Sequence, residues 1–307
     1  MPHIARLERR SSNAASRRLT RAVLPFLLAT ILSGGATFGF GTQNAGPGAD
    51  LSAPLTASLP GAGSAESCDA TSGAYPSPPI PPADRNISWK LMAPNIARDQ
   101  KQIWLFPVRV AQGRHWKPAL GFVAGTAALI ALDPHDEPYF RNTRSFTGFN
   151  NVLSGRGTSV GLTAMPLGFY AVALARHRQY DQHTALLVGE AIIDAELLTT
   201  VMKDVDGRLR PRDVPASADF SDTFFRNEGS LLSGHGSFPS GHTIAAFSIA
   251  TVFTKRYAQH RWVPWVAYSL AGAVGFSRIT LRAHFTSDVF AGAVLGYSIS
   301  NYAVLRR

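Results

Sequence analysis

Six apolar stretches with helical periodicity follow one another along the C-terminal two-thirds of the chain. They lie near residues 116–132, 158–175, 184–202, 242–257, 262–276 and 287–305. Strand signals are weak, no internal repeat is evident, and residues 94–110 add a candidate amphipathic helix. Helices with apolar faces bury them against one another. The sequence therefore predicts an all-α helical bundle of about six core helices.

The first 88 residues have a different character. Residues 1–21 carry six arginines against one glutamate, residues 22–32 are apolar, and small residues follow at 33–36. This is the pattern of an export signal, and the alternative is an uncleaved signal anchor continuing to about residue 41. Residues 42–88 are rich in Ala, Gly, Ser and Pro, a composition that favours disorder. We therefore expect a signal or anchor (1–41), a disordered linker (42–88) and a helical domain (89–307).

Charge and cysteine content exclude some classes of protein. The formal net charge is +10, and the six arginines and one glutamate of residues 1–21 supply +5 of it. The remaining domain is mildly basic, which suits anionic substrates or an anionic membrane surface. No helix-turn-helix or zinc-finger pattern is present, so we expect no nucleic-acid partner. With Cys68 as the only cysteine, no intramolecular disulfide can form.

Three short runs carry the chemistry of the chain. The runs are Lys203…Arg210-Pro211, Pro239-Ser240-Gly241-His242 and Ser277-Arg278…His284…Asp288. Each lies at an end of a predicted helix, and antiparallel helices would bring these ends to one side of the bundle. We therefore expect the active site at that end.

In the third run, His284 and Asp288 are four residues apart and would share a helix face. A carboxylate that accepts a hydrogen bond from one imidazole nitrogen leaves the other free to attack. The alternative is an ordinary His–Asp pair on a helix surface.

In the second run, Ser240 and Gly241 precede an apolar helix, where backbone amides favour an anion, and His242 is placed to protonate a leaving oxygen. The alternative is a loop with a serine N-cap. In the first run, Arg210 offers a fork of donors and Lys203 a point charge for phosphate oxygens. The alternative there is a basic, solvated loop.

Taken together, the spacing of these runs resembles the three-part signature of the type-2 phosphatidic acid phosphatase superfamily. That superfamily includes lipid phosphate phosphatases, bacterial non-specific acid phosphatases and vanadium haloperoxidases. The resemblance covers roughly residues 115–305 and is specific within 203–288. It implies that His284 is the nucleophile that forms a phosphohistidine, Asp288 its orienting partner and His242 the general acid. It also implies a phosphate cradle made of Lys203, Arg210, Ser240, Gly241 and Arg278.

The resemblance implies a metal-independent phosphatase that hydrolyses phosphate mono- or diphosphate esters of a lipid or a small molecule. No cofactor is expected, and no His-Glu-x-x-His motif or cysteine cluster suggests a metal site. Vanadate is expected to inhibit. One alternative is a haloperoxidase with vanadate as its cofactor, and another is a non-catalytic envelope protein that binds phospholipid.

The sequence gives opposing signals about a membrane. Basic residues cluster at the helix ends opposite the three runs, which would place the runs outside the cytoplasm under the positive-inside rule. Against spanning, several apolar stretches are short, and the third carries Glu190, Asp194 and Glu196. We expect an exported bundle, in the periplasm or at the cell-envelope membrane, with an integral membrane enzyme as the alternative. Substrate identity, signal cleavage and oligomeric state are not determined by the sequence.

Overall fold

The computed structural model describes residues 85–226 and 234–305, and all regular structure there is helical. In chain order the helices are α1 (Met92–Trp104), α2 (Phe106–Ala111), α3 (Trp116–Asn142), α4 (Thr147–Val152), α5 (Gly155–Ala175), α6 (Gln179–Asp206), α7 (Gly241–Arg256), α8 (Val263–Thr280) and α9 (Thr286–Ile299). A 3₁₀ turn (Pro211–Asp213) follows α6, and a π-helical turn (Ser300–Val304) extends α9. The predicted all-α bundle is confirmed. The predicted signal (1–41) and nearly all of the predicted linker (42–88) lie outside the described residues, so those boundaries stay predictions.

The core forms where α6, α7 and α9 meet. Val188 of α6 and Ile244 and Val252 of α7 are fully buried in one apolar cluster. A Cβ on Gly296 of α9 would lie 2.4 Å from the carbonyl oxygen of Ile244. Only a glycine allows the backbones of α7 and α9 to come this close, so Gly296 sets the distance between the two helices that carry the second and third motif runs.

Hydrogen bonds between loops bring the motif-bearing helix ends together. The Ser240 amide, just before α7, donates to the carbonyl of Asp288 in α9 at 3.1 Å. The Ser237 amide donates to the carbonyl of Arg208, just after α6, at 2.8 Å, and the His284 amide donates to the carbonyl of Arg278 in α8. The ends of α6 and α8 and the starts of α7 and α9 therefore meet at one end of the bundle, as the alternating arrangement predicts.

Helices α3 and α5 are among those that extend further than their sequence patterns indicate. Helix α3 continues ten residues beyond the predicted end at 132, through Pro134 and Pro138. Prolines usually break a helix, which is why the pattern suggested an earlier end. Helix α5 begins at Gly155, where the side chain of Ser154 accepts a hydrogen bond from the amide of Gly157 and caps the helix. The extension of α3 brings the side chain of Asp133 to the motif-bearing end.

The surface of the bundle exposes many large apolar side chains. All five tryptophans are between 46% and 79% exposed, and apolar side chains of α3, α5 and α8 are exposed along the helices. Within the described part of the chain, one helix, Gly155–Ala175, has the length and apolar composition needed to cross a membrane.

Candidate active site

His284 lies in the loop between α8 and α9 and is buried. Its Nδ1 atom is 2.7 Å from the carbonyl oxygen of Ser237. Since a carbonyl oxygen only accepts, Nδ1 carries the proton and Nε2 keeps its lone pair. The predicted partner, Asp288, is further from the ring, with Oδ2 3.6 Å from Nδ1. The tautomer is therefore set first by a backbone carbonyl, and the aspartate acts through the serine between them.

Asp288 is fully buried and receives hydrogen bonds on both carboxylate oxygens. Oδ2 accepts from the Ser237 hydroxyl at 2.5 Å and from the Phe285 amide at 2.9 Å. Oδ1 accepts from Nη1 of Arg208 at 2.5 Å. Burial alone would raise the pKa of Asp288, but the Arg208 guanidinium, His284 and Ser237 lower it below its ordinary value. The side chain is ionised at neutral pH.

The environment of His284 favours its neutral form. Burial is the largest cause of a pKa lowered to about 4, and the cations of Lys203 and Arg210 act in the same direction. Asp288 opposes the shift without cancelling it. At neutral pH the ring is uncharged, so its Nε2 lone pair is available to an electrophile.

His242 occupies the first turn of α7, and its ring contacts a side chain of α5. Its Nε2 atom lies 2.7 Å from the Ser159 hydroxyl oxygen, which is also 3.0 Å from the carbonyl oxygen of Gly155. Burial, followed by the charges of Arg278 and His284, lowers the pKa of His242 to about 3. The ring is therefore neutral at neutral pH in this arrangement, whereas the predicted general acid needs a proton.

Arg278 is buried at the end of α8 and bonds to the segment around the start of α5. Nη2 donates to the carbonyl of Leu153 at 2.6 Å and to the Thr158 hydroxyl at 3.0 Å. Nε and Nη2 both donate to the Ser277 hydroxyl. Burial lowers the pKa of Arg278 to about 10, so the guanidinium keeps its charge at neutral pH.

The other predicted cradle residues surround the start of α7. Ser240 is the N-cap residue of that helix and is fully buried, and its hydroxyl oxygen accepts from Thr243 at 2.8 Å. A Cβ on Gly241 would lie 3.5 Å from Nζ of Lys203. Burial lowers the pKa of Lys203, and the neighbouring Arg210 adds to this shift. Cations and first-turn amides at a helix N-terminus are the groups that bind phosphate.

The structure brings all eight predicted site residues to this end of the bundle. It also adds five that the sequence analysis did not assign, namely Asp133, Ser159, Thr158, Arg208 and Ser237. Arg208 lies inside the first motif run and Ser237 lies two residues before the second, so both could have been considered. Asp133, Thr158 and Ser159 come from α3 and α5, where no motif marks them. In the described residues, no group of three or more His, Cys, Asp or Glu side chains is arranged to hold a metal ion.

Residues 184–306 match the family model of the PAP2 superfamily. The lipid A 4'-phosphatase of Porphyromonas gingivalis is 30% identical over 118 residues, which are 38% of this chain and 48% of that protein. Lipid phosphate phosphatase 2 of Arabidopsis thaliana is 27% identical over 48% of this chain and 60% of its own length. The chain thus spans about half the length of these curated relatives.

A further relative, a lipid A 1-phosphatase of Rhizobium etli, is 25% identical over 59% of this chain and 80% of its own length. Among solved structures, a transmembrane PAP2 type phosphatidylglycerolphosphate phosphatase from Bacillus subtilis is 24% identical. It covers 59% of this chain and 91% of its own, with a TM-score of 0.42.

Proposed function

Because residues 184–306 match the family model of the PAP2 superfamily, we propose that the protein is a phosphoric ester hydrolase that releases phosphate from a phosphorylated lipid through a phosphohistidine at His284. The observation that supports this most directly is the hydrogen bond from Nδ1 of His284 to the Ser237 carbonyl. It leaves the Nε2 lone pair free on a neutral ring, and the ring is close enough to Lys203 and Arg210 for their charges to lower its pKa.

In the first step, Nε2 of His284 attacks the phosphorus atom while the bond to the leaving oxygen breaks. The charge on the transferring group falls on the cations of Lys203, Arg210 and Arg278 and on the first-turn amides of α7. His242 gives its proton to the leaving oxygen, and the lipid alcohol departs. In the second step, a water molecule loses a proton to His242 and attacks phosphorus, which breaks the N–P bond and releases phosphate. His284 is then neutral again and His242 is protonated again.

The low pKa of His242 fits this scheme once the charge of the ester is counted. Burial is the largest cause of the shift, and the charge of Arg278 is the next largest. An ester dianion would offset the cationic charge and stabilise protonated imidazole. We propose that substrate binding raises the pKa of His242 and that the ring then takes up the proton it later donates.

This chemistry uses only groups of the chain, so we expect activity to persist in the presence of a chelator. Vanadate adopts the trigonal-bipyramidal geometry of the transferring phosphoryl group, and we expect it to inhibit by binding Nε2 of His284. In both cases the cations of Lys203, Arg210 and Arg278 neutralise the charge of the bound anion.

The lipid substrate is proposed from the relatives and from the surface. The relatives include lipid A phosphatases and a lipid phosphate phosphatase. The exposed tryptophans include Trp116 and Trp262, at the starts of α3 and α8, which are the ends away from the site. Tryptophan favours membrane–water interfaces, and the basic residues clustered at these ends favour anionic lipid. We infer that the apolar surface contacts the membrane of the cell envelope and that the site lies outside the cytoplasm.

Turnover and trapping test the proposal. The detergent-solubilised protein is expected to release inorganic phosphate from phosphatidate in mixed micelles, and rapid acid-free quenching with ³²P-labelled substrate is expected to give a base-stable, acid-labile protein label. His284→Ala should abolish both signals, with a loss of about 10⁴-fold or more in turnover. His260→Ala, an exposed histidine at the opposite end, serves as the matched control.

The proposal would be wrong if His284→Ala kept the label or the turnover. Cell fractionation tests the location: the protein should stay with the membrane pellet after an alkaline carbonate wash and leave it in detergent. Recovery in the carbonate supernatant would contradict the proposed contact with lipid.

A further inference from the structure

Arg208 is almost completely buried, although it lies in a basic loop between α6 and Arg210. Its guanidinium is stacked between two aromatic rings, with Cζ 4.4 Å from the centroid of Phe224 and 4.0 Å from that of Phe285. The guanidinium is held edge-on by hydrogen bonds as well, since Nε donates to the Thr223 hydroxyl at 3.1 Å. A side chain held this way is rigid, and its position is transmitted to whatever it bonds.

The fork of Arg208 joins two buried carboxylates from different helices. Nη1 donates to Oδ1 of Asp288 at 2.5 Å, and Nη2 donates to Oδ2 of Asp133 in α3 at 2.6 Å. Nη1 also donates to the Ser287 hydroxyl at 2.7 Å, and Ser287 donates from its amide to Asp133 at 3.2 Å. A planar guanidinium can bridge two carboxylates in this way, whereas a lysine ammonium is a point charge without the fork.

A chain of hydrogen bonds connects this bridge to the nucleophile. Asp288, held on one oxygen by Arg208, accepts the Ser237 hydroxyl on the other. The carbonyl of the same Ser237 accepts the Nδ1 proton of His284. We propose that Arg208, anchored by Asp133, is a positioning residue that holds Asp288 and Ser237 and thereby fixes the ring of His284 for attack. This inference rests on the proposed function, because it assigns the network to a nucleophilic histidine.

The charges of the network suit that role. Two carboxylates against one guanidinium leave one excess negative charge beside His284. During attack the imidazole becomes positive, and an excess negative charge one hydrogen bond away stabilises it. Without Arg208, Asp133 and Asp288 would be two buried carboxylates near one another, and one of them would hold a proton to a higher pH.

The pH dependence of the activity reports whether Asp288 is ionised. Burial opposes ionisation of Asp288, and Arg208 is the largest of the influences that nevertheless keep its pKa low. Charged or titratable groups that act on Asp288 include Glu137 of α3, Lys203 and Asp206 of α6, Arg208 and Arg210 of the following loop, and His284. Asp133 of α3 shares Arg208 with Asp288. Of these, Arg208 alone contacts the carboxylate with a full positive charge.

The first measurement is kcat/KM against pH for wild type, Arg208→Met, Arg208→Lys and the double variant Arg208→Met/Asp133→Asn. Arg208→Met should lower kcat about 10²-fold with KM within about threefold, because the interaction acts on the transition state. Its acid limb should move up by about one to two pH units. Arg208→Lys keeps the charge and should move the limb less. The double variant removes the competing carboxylate and should return the limb toward wild type.

Arg256→Met is the matched control. Arg256 is also buried and lies over an aromatic ring, with Cζ 4.0 Å from the centroid of Tyr180, but it is at the far end of α7. Its loss should lower the thermal midpoint without moving the acid limb. If Arg208→Met likewise only lowered the midpoint, or if Asp133→Asn shifted the limb further up, Arg208 would be a structural residue and the inference would be wrong.

A second measurement needs no turnover. With ¹⁵N-labelled histidine, and His284 assigned through His284→Ala, the ring nitrogens should show the Nδ1–H tautomer in wild type and a mixture of tautomers in Arg208→Met. An unchanged tautomer would overturn the inference even in an active enzyme. Wild-type protein that hydrolyses no phosphate ester would instead overturn the proposed function, and the tautomer would still decide whether Arg208 positions the ring.

Discussion

The two histidines of the site are held in different ways. The ring of His284 is tied to a backbone carbonyl, and behind that carbonyl stands a buried ionic network that ends in Arg208 and Asp288. In the described part of the chain, no carboxylate is among the largest influences on the pKa of His242, and its Nε2 atom contacts the neutral hydroxyl of Ser159. One half of the site is therefore ionic and supplied mainly by the motif loops, and the other is neutral and supplied by α5.

This difference matches what each proposed role requires. A nucleophile needs one tautomer throughout the reaction, and a fixed acceptor on Nδ1 provides it. A general acid that later acts as a base must be both charged and neutral within one cycle. A carboxylate beside it would favour the charged form in every step, whereas a hydroxyl can accept from a protonated nitrogen and donate to an unprotonated one. The neutral surroundings of His242 thus suit a residue that changes its charge.

The largest effect that separates the two histidines is expected at His242. His242→Gln should lower kcat/KM about 10³-fold for an alkyl ester such as phosphatidate, because the leaving alkoxide must then depart without a proton. For p-nitrophenyl phosphate, whose leaving group needs no proton, the loss should be less than about tenfold. His284→Ala should inactivate the enzyme toward both esters. The rates of phosphate release from the two substrates by each variant measure these losses.

If His242→Gln lowered kcat/KM equally for the two esters, the role of general acid would be contradicted. Such a result would indicate a role in phosphate binding. The accumulated phosphohistidine separates these cases further. With the activated ester, the variant should retain label formation, because the first step no longer depends on His242, while breakdown of the label slows.

A smaller effect is expected for Asp288→Asn. Replacing the orienting aspartate of a serine hydrolase costs about 10⁴-fold, because the histidine tautomer is then wrong. Here Nδ1 donates its proton to the Ser237 carbonyl and not to the carboxylate, so Asp288 acts on the ring only through Ser237 and we expect a smaller loss, of about 10²-fold in kcat. Steady-state kinetics on phosphatidate measures it. A loss as large as that of His284→Ala would show that the aspartate, and not the carbonyl, sets the tautomer.

The contrast between the rings also predicts proton uptake on anion binding. The pKa of His242 is lowered to about 3 by burial and by Arg278, and a bound dianion raises it. At any pH between the free and bound pKa values, binding therefore takes up a proton, and affinity falls as the pH rises through the bound value. Calorimetry of sulfate binding at pH 6 in buffers of different ionisation enthalpy should show an uptake of up to one proton, because sulfate is already a dianion at this pH and releases no proton of its own. His242→Gln should abolish it, and an unchanged uptake in that variant would assign the proton to another group.

How far the site could be predicted depends on where its contacts lie in the chain. The composition of the cluster around His284 could be predicted because Asp288 and Arg278 lie within a few residues of it in the third motif run. The expected shared helix face was wrong, since His284 lies in the loop before α9. Asp133 is 75 residues from its partner Arg208, and it follows the predicted end of its helix, with Pro134 next to it. Nothing in a local pattern indicates that this helix continues to the site.

The burial of Arg208 shows a second limit of the sequence. A basic loop of aspartates, glycine and arginines is usually solvated, so Arg208 offered no signal of its own. Its burial arises from the rings of Phe224 and Phe285, 16 and 77 positions further along the chain. The bundle and the composition of the site followed from periodicity and motif spacing, but the shell that orients the motif residues depends on tertiary contacts.

The smallest effect is expected for Ser159→Ala, which removes the hydroxyl beside Nε2 of His242 and leaves the ring in place. One neutral hydrogen bond contributes about 1 kcal/mol, which corresponds to about fivefold in kcat. Thr163→Ala is the matched control, since Thr163 lies one turn further along α5 and its hydroxyl donates only to the carbonyl of Ser159. The loss should appear with phosphatidate and vanish with p-nitrophenyl phosphate, because the hydroxyl acts through the general acid. A loss that was equal with both esters would show that Ser159 supports the phosphate cradle through α5, and the contrast between the two histidines would then concern binding more than proton transfer.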